Sequence, residues 1–268
     1  MPDRQFAVVA LAGGSLETDF RDAGYSAVNK AYLPLGGELM IERVLRAFRT
    51  ASSIGRVRVV TQPDAFAAAF GARAAELCDE VIAPGVGLID SMLAGFTGLG
   101  PDEHVLVSAT DVPLLTSHAV DAFAGRVRAV GDCDIGYGFV SRAAHDAKYP
   151  QVRHTWVRLR EGTFCGGGIS MLRAGAAAQA ADLLRRVAAL RKSPLRLAML
   201  FSPATWARMV LGGLRISELE RRADELSGLR CRGVLCDEPE LAVNVDRLDD
   251  LRMVEDILRG REHAGIAG

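Results

Sequence analysis

The sequence lacks the short motifs that mark many nucleotide-binding and metal-binding proteins. It contains neither the GxGxxG fingerprint nor the phosphate loop GxxxxGK(S/T), which argues against a standard NAD site and a P-loop NTPase. Its five cysteines are scattered, without a CxxC pair or an HExxH motif, so a structural zinc site is not expected. The first residues lack the charged start and long apolar segment of a secretory signal. We therefore expect a reduced, cytoplasmic protein.

The sequence also has little net charge and no long uninterrupted apolar run. Its 32 basic and 33 acidic residues leave a net charge of −1, so no general attraction to nucleic acid or to an anionic membrane is expected. The most apolar stretch, LRLAMLFSPATWARMVL, is interrupted by Arg196 and Arg208 and broken by Pro203. A spanning helix needs about 20 mostly apolar residues, so we expect no membrane span. The expected partner is a small molecule.

What the sequence does contain is a regular alternation of short apolar runs and longer segments of helical period. This pattern predicts an α/β fold with a mainly parallel sheet. In segment 40–51 the apolar residues recur at the spacing of one buried helix face, which indicates a helix that covers a sheet. The predicted strands are 6–11, 57–61, 80–82, 104–108 and 134–137, and the predicted helices are 40–51, 88–99, 117–130 and 248–259.

The alternation changes after about Val140. Residues 154–160 alternate polar and apolar side chains, and Glu161-Gly162 forms a turn into segment 163–172, which predicts an antiparallel hairpin. A wholly helical insertion is predicted at about 174–228, within a single domain that spans residues 1–268. The apolar insertion is expected to pack on the main sheet or against a second subunit in a homodimer, and a lid over an apolar acceptor is the alternative.

The first strand runs directly into Ala12-Gly13-Gly14, and Lys30 follows in the stretch NKAYLPLGG. A glycine turn at the carboxyl end of a parallel strand lets backbone N–H groups approach a phosphate, although a tight strand exit has the same sequence. Only three of the 32 basic residues are lysines, so a lysine near this turn is unusual. Its compact charge suits a triphosphate.

These segments, together with VSATDVPLLT, FCGGGISMLR and VNVDRLDDL, resemble the MobA-like branch of the nucleotidyltransferase superfamily. The resemblance covers about residues 6–172 and 231–258. It implies a glycosyltransferase-A type fold, namely a Rossmann-like mixed sheet with helices on both faces, and a nucleoside triphosphate (NTP) donor. It further implies that Ala12, Gly13, Gly14 and Lys30 bind the nucleotide, that Asp111 is catalytic with Lys30, and that Asp111 and Asp246 bind Mg²⁺.

Other candidate residues have alternative explanations of comparable weight. Gly87 and Ser91 lie at the start of the helix predicted over 88–99, where they either contact the nucleotide or serve the helix terminus. Asp246 precedes the last predicted helix and is explained equally by helix capping. One loop departs from the family pattern, which places an arginine soon after the glycines and the lysine a few residues later. Here SLETDFRDAGYSAVN separates Gly14 from Lys30, and Arg21 is its one arginine.

Four basic residues are candidates for contact with an acceptor substrate. Arg158 and Arg160 lie two apart in a predicted strand and therefore point to one face, beside Trp156. Lys148 and Lys192 are the remaining lysines of the chain. On an exposed hairpin the two arginines are explained equally well by solvation, so the assignment stays open.

The function expected from these observations is Mg²⁺-dependent transfer of a nucleoside monophosphate from an NTP to a phosphorylated or hydroxyl acceptor, with release of pyrophosphate. A role in molybdopterin cofactor biosynthesis is one possibility. A glycosyltransferase of the same fold is the first alternative, although its DxD motif is replaced by Asp111-Val112-Pro113 and the only similar letters are Asp132-Cys133-Asp134. A non-catalytic nucleotide-binding protein and a dinucleotide-binding dehydrogenase are the others.

Overall fold

The computed structural model describes residues 5–190, 208 and 213–263, and one large mixed sheet organises them. Its strand order is β10-β7-β9-β6-β1-β4-β5, with β8 paired to β9. Neighbouring strands are parallel except around β9, which runs antiparallel to β6, β7 and β8. The strands of this sheet are β1 Phe6–Leu11, β4 Ile54–Val60, β5 Glu80–Ile82, β6 His104–Ala109, β7 Ile135–Ser141, β8 Val157–Leu159, β9 Gly162–Arg173 and β10 Cys231–Cys236, while β2 Pro34–Leu35 and β3 Glu38–Leu39 form a small separate pair.

Helices cover both faces of the sheet, which confirms the predicted α/β architecture. Helices α2 and α6 pack on one face through residues such as Ile41, Phe48 and Phe123. Helices α5 and α8 pack on the other face of the sheet through residues such as Met92 and Ala181. The helices are α1 Thr18–Asp22, α2 Met40–Thr50, α3 Pro63–Phe70, α4 Ala74–Leu77, α5 Leu88–Phe96, α6 Ser117–Val130, α7 Arg142–Lys148, α8 Ala177–Leu190, α9 Ile216–Ser227 and α10 Leu248–His263.

The antiparallel hairpin predicted in the second half of the chain is confirmed. Strands β8 and β9 pair antiparallel, with Arg158 opposite Thr163, as the alternating pattern predicts. Helices α8 and α9 lie at the two ends of the predicted insertion, and residues 191–207 and 209–212, including Lys192, lie outside the described part. The predicted dimer contact through this insertion therefore stays a prediction. Among the described helices, none combines the length and the apolar character that crossing a membrane requires.

A second hydrophobic cluster joins the last helix to the loop that follows β1. In it, Leu251, Val254 and Leu258 of α10 pack with Phe20 and Leu33, all of them buried. This packing places the segment before α10 next to the segment around residue 30. The two chain regions with candidate carboxylate and lysine side chains thereby meet at the carboxyl edge of the sheet.

Gly95 allows α5 to lie directly against the sheet. A Cβ atom at this position would lie 2.4 Å from Cγ1 of Val9 and 3.0 Å from Cγ2 of Val60. We expect Gly95→Ala to lower the free energy of unfolding by about 1–3 kcal/mol, because overpacking outweighs the better helix propensity of alanine. Urea denaturation measures the change.

Gly125 in α6 is the matched control for this substitution. It is an exposed helical glycine, and a Cβ atom there meets no atom within 4 Å. Gly125→Ala should therefore raise the free energy of unfolding by up to about 1 kcal/mol. Equal effects of the two alanines would contradict the close packing of α5.

Candidate active site

A cleft of about 500 Å³ opens at the carboxyl ends of the central parallel strands. The glycine turn after β1, the residues after β6 and the start of α5 all contribute to its wall. Ligands of open α/β sheets bind at this edge, because the strand ends and the helix N-termini face it together. The lining residues from the predicted site are Ala12, Gly13, Gly14, Lys30, Gly87, Ser91 and Asp111.

The turn after β1 is held from behind by buried polar side chains. The carbonyl oxygen of Ala12 accepts hydrogen bonds from Nδ2 of Asn29 at 2.9 Å and from Oγ1 of Thr61 at 3.0 Å. Gly14 has a φ of +94°, a left-handed conformation that an L side chain rarely adopts. The turn is therefore fixed in shape while its open side faces the cleft.

Asn29 connects this turn to Lys30. Its side chain is fully buried, and Oδ1 accepts a hydrogen bond of 2.9 Å from the backbone N–H of Ala31. That bond caps the short helical turn Lys30–Tyr32. Sequence reasoning missed Asn29, although an asparagine directly before the lysine is a typical capping residue and was the available signal. Asn29 therefore fixes the position of Lys30 relative to the glycine turn.

The ammonium group of Lys30 lies between two carboxylates that are distant in the chain. Its Nζ atom is 2.7 Å from Oδ2 of Asp111 and 2.8 Å from Oδ1 of Asp246. Burial alone would lower the pKa of Lys30, but the two carboxylates outweigh burial and raise this pKa from 10.5 to about 12. Lys30 therefore stays positively charged at any physiological pH.

Backbone and side-chain hydrogen bonds fix the two aspartates relative to each other. The backbone N–H of Val245 donates to the carbonyl oxygen of Asp111 at 2.8 Å. The carboxylate of Asp250 accepts from the backbone N–H groups of Asp246 and Arg247 at 3.0 and 2.9 Å, which caps α10. Asp19 also accepts from the backbone N–H of Leu248, at 2.9 Å, so Asp250 and Asp19 together cap α10. The Asp246 side chain is left largely exposed toward the site, with 65% of its area accessible.

The donor set around Lys30 fits a divalent cation with oxygen ligands. Oδ1 of Asp111 is buried and has no hydrogen-bond partner among the residues that the structure describes. A buried carboxylate oxygen without a partner is energetically unfavourable, so this atom is suited to accept a ligand. Over the same described residues, no group of three or more His, Cys, Asp or Glu side chains is placed to hold a metal. Two carboxylates suffice for Mg²⁺ when phosphates and water complete its shell.

The start of α5 forms the opposite wall of the first cleft. Gly87 precedes the helix, and Ser91 is buried with its Oγ 3.4 Å from the carbonyl oxygen of Gly85. Asp90, in the same turn, pairs with Arg185 of α8 at 2.7 Å. The structure therefore brings Gly87 and Ser91 to the cleft, where the helix N-terminus favours negative charge.

A second, larger cleft of about 810 Å³ adjoins the other side of Asp246. Its wall includes Arg153 and Arg247, both exposed, together with His154 and Gly166. Asp246 lines this cleft, while Asp111 and Lys30 line the first one. The ion pairs of Lys30 with Asp111 and Asp246 therefore lie where the two clefts meet.

The basic residues predicted to contact an acceptor do not line this second cleft. Arg158 is exposed on β8 and Arg160 is exposed directly after it, and neither lines either cleft. Lys148 forms an ion pair with buried Glu240, and Arg21 donates to Thr18 on the surface. Arg153 and Arg247 line this cleft instead.

The Asp132-Cys133-Asp134 sequence lies at the far end of the sheet, before β7. Asp134 is buried and accepts hydrogen bonds from Arg173 at 2.8 Å and from the backbone N–H of Arg230 at 2.8 Å. Burial would raise the pKa of Asp134, but Arg230 and Arg173 outweigh it and lower this pKa to about 2. Asp132-Cys133-Asp134 therefore has a structural role and does not line either cleft.

A protein-family model matches a large part of this chain. The model described as the MobA-like NTP transferase domain matches residues 8–150, more than half of the 268 residues. The chain belongs to the MobA-like NTP transferase family. The matched segment contains the glycine turn, Lys30 and Asp111, whereas Asp246 lies beyond it.

Solved structures share the fold of this MobA-like NTP transferase over most of its length. A hypothetical transferase from Thermus thermophilus is 31% identical, with a TM-score of 0.78, covering 92% of this chain and 100% of the other. CMP:2-keto-3-deoxy-manno-octonic acid synthetase complexed with CTP is 15% identical, with a TM-score of 0.59, covering 97% and 100%. A 4-diphosphocytidyl-2C-methyl-D-erythritol synthase from Anaerococcus prevotii is 11% identical, with a TM-score of 0.56, covering 95% and 99%. No curated protein matches the sequence significantly.

A double-mutant cycle tests the contact between Lys30 and Asp111. We expect Lys30→Met to lower the free energy of unfolding by about 1–3 kcal/mol, because it leaves the mostly buried carboxylate of Asp111, beside the exposed one of Asp246, without its cation. The same substitution in an Asp111→Asn background should cost less, since one of the two charges is gone. Urea denaturation of the four proteins gives the coupling energy. Additive effects would show that the ammonium and Asp111 do not interact.

Proposed function

We propose that the protein is a Mg²⁺-dependent nucleotidyltransferase that transfers a nucleoside monophosphate from an NTP to a small acceptor and releases pyrophosphate. The observation that carries the proposal is the Lys30 ammonium, held by Asp111 and Asp246 at the junction of the two clefts. The first cleft suits the NTP, because it combines a glycine turn, a lysine and a helix N-terminus. The second cleft suits the acceptor.

The proposed catalytic unit includes the whole chain and not only the segment that matches the family model. Strand β10 extends the sheet beside β7, and the segment after it supplies Asp246. We therefore propose residues 1–268 as one nucleotidyltransferase domain, with the insertion at about 174–228 as an addition to it.

In the proposed reaction, an acceptor oxygen attacks the α-phosphorus and the bond from that phosphorus to the pyrophosphate oxygen breaks. Lys30 remains protonated, so it acts as a fixed positive charge that stabilises the negative charge developing on pyrophosphate. Asp111 and Asp246 would hold Mg²⁺, which supplies charge neutralisation at the phosphate oxygens when bound. The chain itself contributes orientation and electrostatic stabilisation, and no protein nucleophile is needed.

The alternatives differ from this proposal in a measurable way. A glycosyltransferase of the same fold would use a nucleotide-sugar, and the described position of Asp134 away from both clefts speaks against its DxD motif. A non-catalytic sensor would bind an NTP without releasing pyrophosphate. Molybdopterin, sugar phosphates, polyol phosphates and lipid-linked alcohols are the acceptors to compare.

Thermal stabilisation by nucleotides tests the proposed donor site. We expect at least one of ATP, GTP, CTP and UTP to raise the melting temperature more with Mg²⁺ than without, because binding to the native state stabilises it by mass action. Asp111→Asn should abolish the additional effect of Mg²⁺, since it removes one of the two proposed ligands. Equal stabilisation with and without Mg²⁺ in the unaltered protein would contradict the proposal.

Pyrophosphate release tests the roles of Lys30 and Asp111 in catalysis. We expect Lys30→Ala and Asp111→Asn each to lower turnover by about a hundredfold or more, the scale for one preorganised electrostatic group. Asp256→Asn is the control, because this residue lies on the exposed face of α10 and pairs there with Arg259. Unchanged turnover in the two site variants would refute the assignment.

A further inference from the structure

Two histidines form an array with an aspartate at the wall of the second cleft. Nε2 of His145 lies 2.9 Å from Nε2 of His154, and Nδ1 of His145 lies 3.2 Å from Oδ1 of Asp146. His145 is completely buried, whereas His154 is partly exposed and lines the cleft that also contains Asp246. The described reaction uses neither histidine.

The chain of contacts determines which nitrogen carries each proton. The Asp146 carboxylate can only accept, so Nδ1 of His145 donates to it. The other nitrogen of a neutral His145 is then an acceptor, and it receives the proton of Nε2 of His154. This leaves Nδ1 of His154 without a proton and with a free lone pair.

The surroundings favour a neutral ring at His154. The Asp146 carboxylate contacts both Arg142, whose Nε lies 2.9 Å from Oδ2, and His145. Burial and the neighbouring His145 lower the pKa of His154 to about 4, against an opposing effect of Asp146 and of Asp250 on α10. Trp156 packs edge-on against both rings and further excludes water.

Among the described residues, Nδ1 of His154 has no hydrogen-bond partner, and it is not one of the buried polar side-chain atoms that lack a partner, so it is accessible at the cleft. Because Nε2 is directed to the buried His145, the atom left to contact a ligand is Nδ1. A neutral nitrogen lone pair accepts a hydrogen bond from a hydroxyl or N–H group, but it repels the oxygen of a fully ionised phosphate, which has no proton to donate. The same cleft contains Arg153 and Arg247, which suit an anionic group.

We propose that His154 is a specificity-determining residue that accepts a hydrogen bond from an uncharged hydroxyl or N–H of the acceptor substrate, with His145 and Asp146 as positioning residues. The inference rests on the proposed function, because it assigns the second cleft to the acceptor. It narrows the acceptor to a molecule that carries hydroxyl groups beside an anionic group, such as a polyol phosphate or a sugar phosphate. An acceptor that presents only anionic oxygens does not satisfy His154.

Long-range ¹H–¹⁵N correlation spectra of the labelled protein test the proton arrangement independently of catalysis. At pH 7.5 we expect His145 as the Nδ1–H tautomer and His154 as the Nε2–H tautomer, both neutral. In Asp146→Ala, His145 should lose its preference for Nδ1–H, because the acceptor that orients it is gone. An imidazolium at either position, or His145 as Nε2–H in the unaltered protein, would overturn the proposal.

Three probes then test what His154 recognises. Glycerol 3-phosphate and ribose 5-phosphate should shift the Nδ1 signal of His154, whereas methyl phosphate, which presents no hydroxyl when ionised, should leave it in place. The exposed His118 is the internal control and should respond to none of them. An equal response to methyl phosphate, or no response of His154 to any probe, would overturn the proposal.

Kinetics separate this inference from the proposed function. With an acceptor that supports pyrophosphate release, His154→Phe should raise the KM for that acceptor at least tenfold and leave the KM for the NTP unchanged, while His118→Phe changes neither. An unchanged acceptor KM in His154→Phe refutes the role of His154 alone. Absence of pyrophosphate release with every acceptor refutes the proposed function, whereas the tautomers and the probe responses still report on His154.

Discussion

The ion pairs of Lys30 with Asp111 and Asp246 are the interaction on which the arrangement of the site depends. The Nζ–oxygen distances are 2.7 Å to Asp111 and 2.8 Å to Asp246, and the Lys30–Asp246 pair joins residues separated by 216 positions in the chain. An ammonium between two carboxylates relieves the repulsion that would otherwise separate them, and partial burial makes this attraction stronger than it would be in water. The glycine turn, the end of β6 and the start of α10 are thereby held at one point.

The sheet topology makes this convergence possible. Strand β9 runs antiparallel between β6 and β7, and its Gly168 lies under the residue that follows Asp111: a Cβ atom there would be 2.4 Å from Cγ1 of Val112. The close approach brings β9 beneath the loop after β6. The carbonyl oxygen of Asp111 accepts a hydrogen bond from the backbone N–H of Val245. This bond anchors the last segment beside the first cleft. Packing and backbone hydrogen bonds therefore bring the two carboxylates near each other, where the ion pairs with Lys30 hold them.

Most of the sheet and part of the site were predictable from the sequence, for identifiable physical reasons. Apolar runs rich in β-branched residues predicted β1, β5 and β6 within one residue, whereas β10 was missed because Arg232 and Gly233 interrupt its apolar pattern. Lys30, an unusual lysine in this sequence, and Asp111, the aspartate after β6, were predicted as site residues from their residue types. The contacts of Asn29 and His154 were not predicted, because each arises only in the folded chain.

The charge of the Lys30 cluster explains why it suits a divalent cation as well as a phosphate chain. Two carboxylates and one ammonium leave a net charge of −1, since the raised pKa keeps Lys30 protonated. A divalent cation would change this to +1, which favours an anionic triphosphate in the adjoining cleft. The buried Oδ1 of Asp111, without a partner among the described residues, gives such a cation an oxygen that Lys30 does not occupy. Under the proposed function, cation and nucleotide therefore each favour the binding of the other.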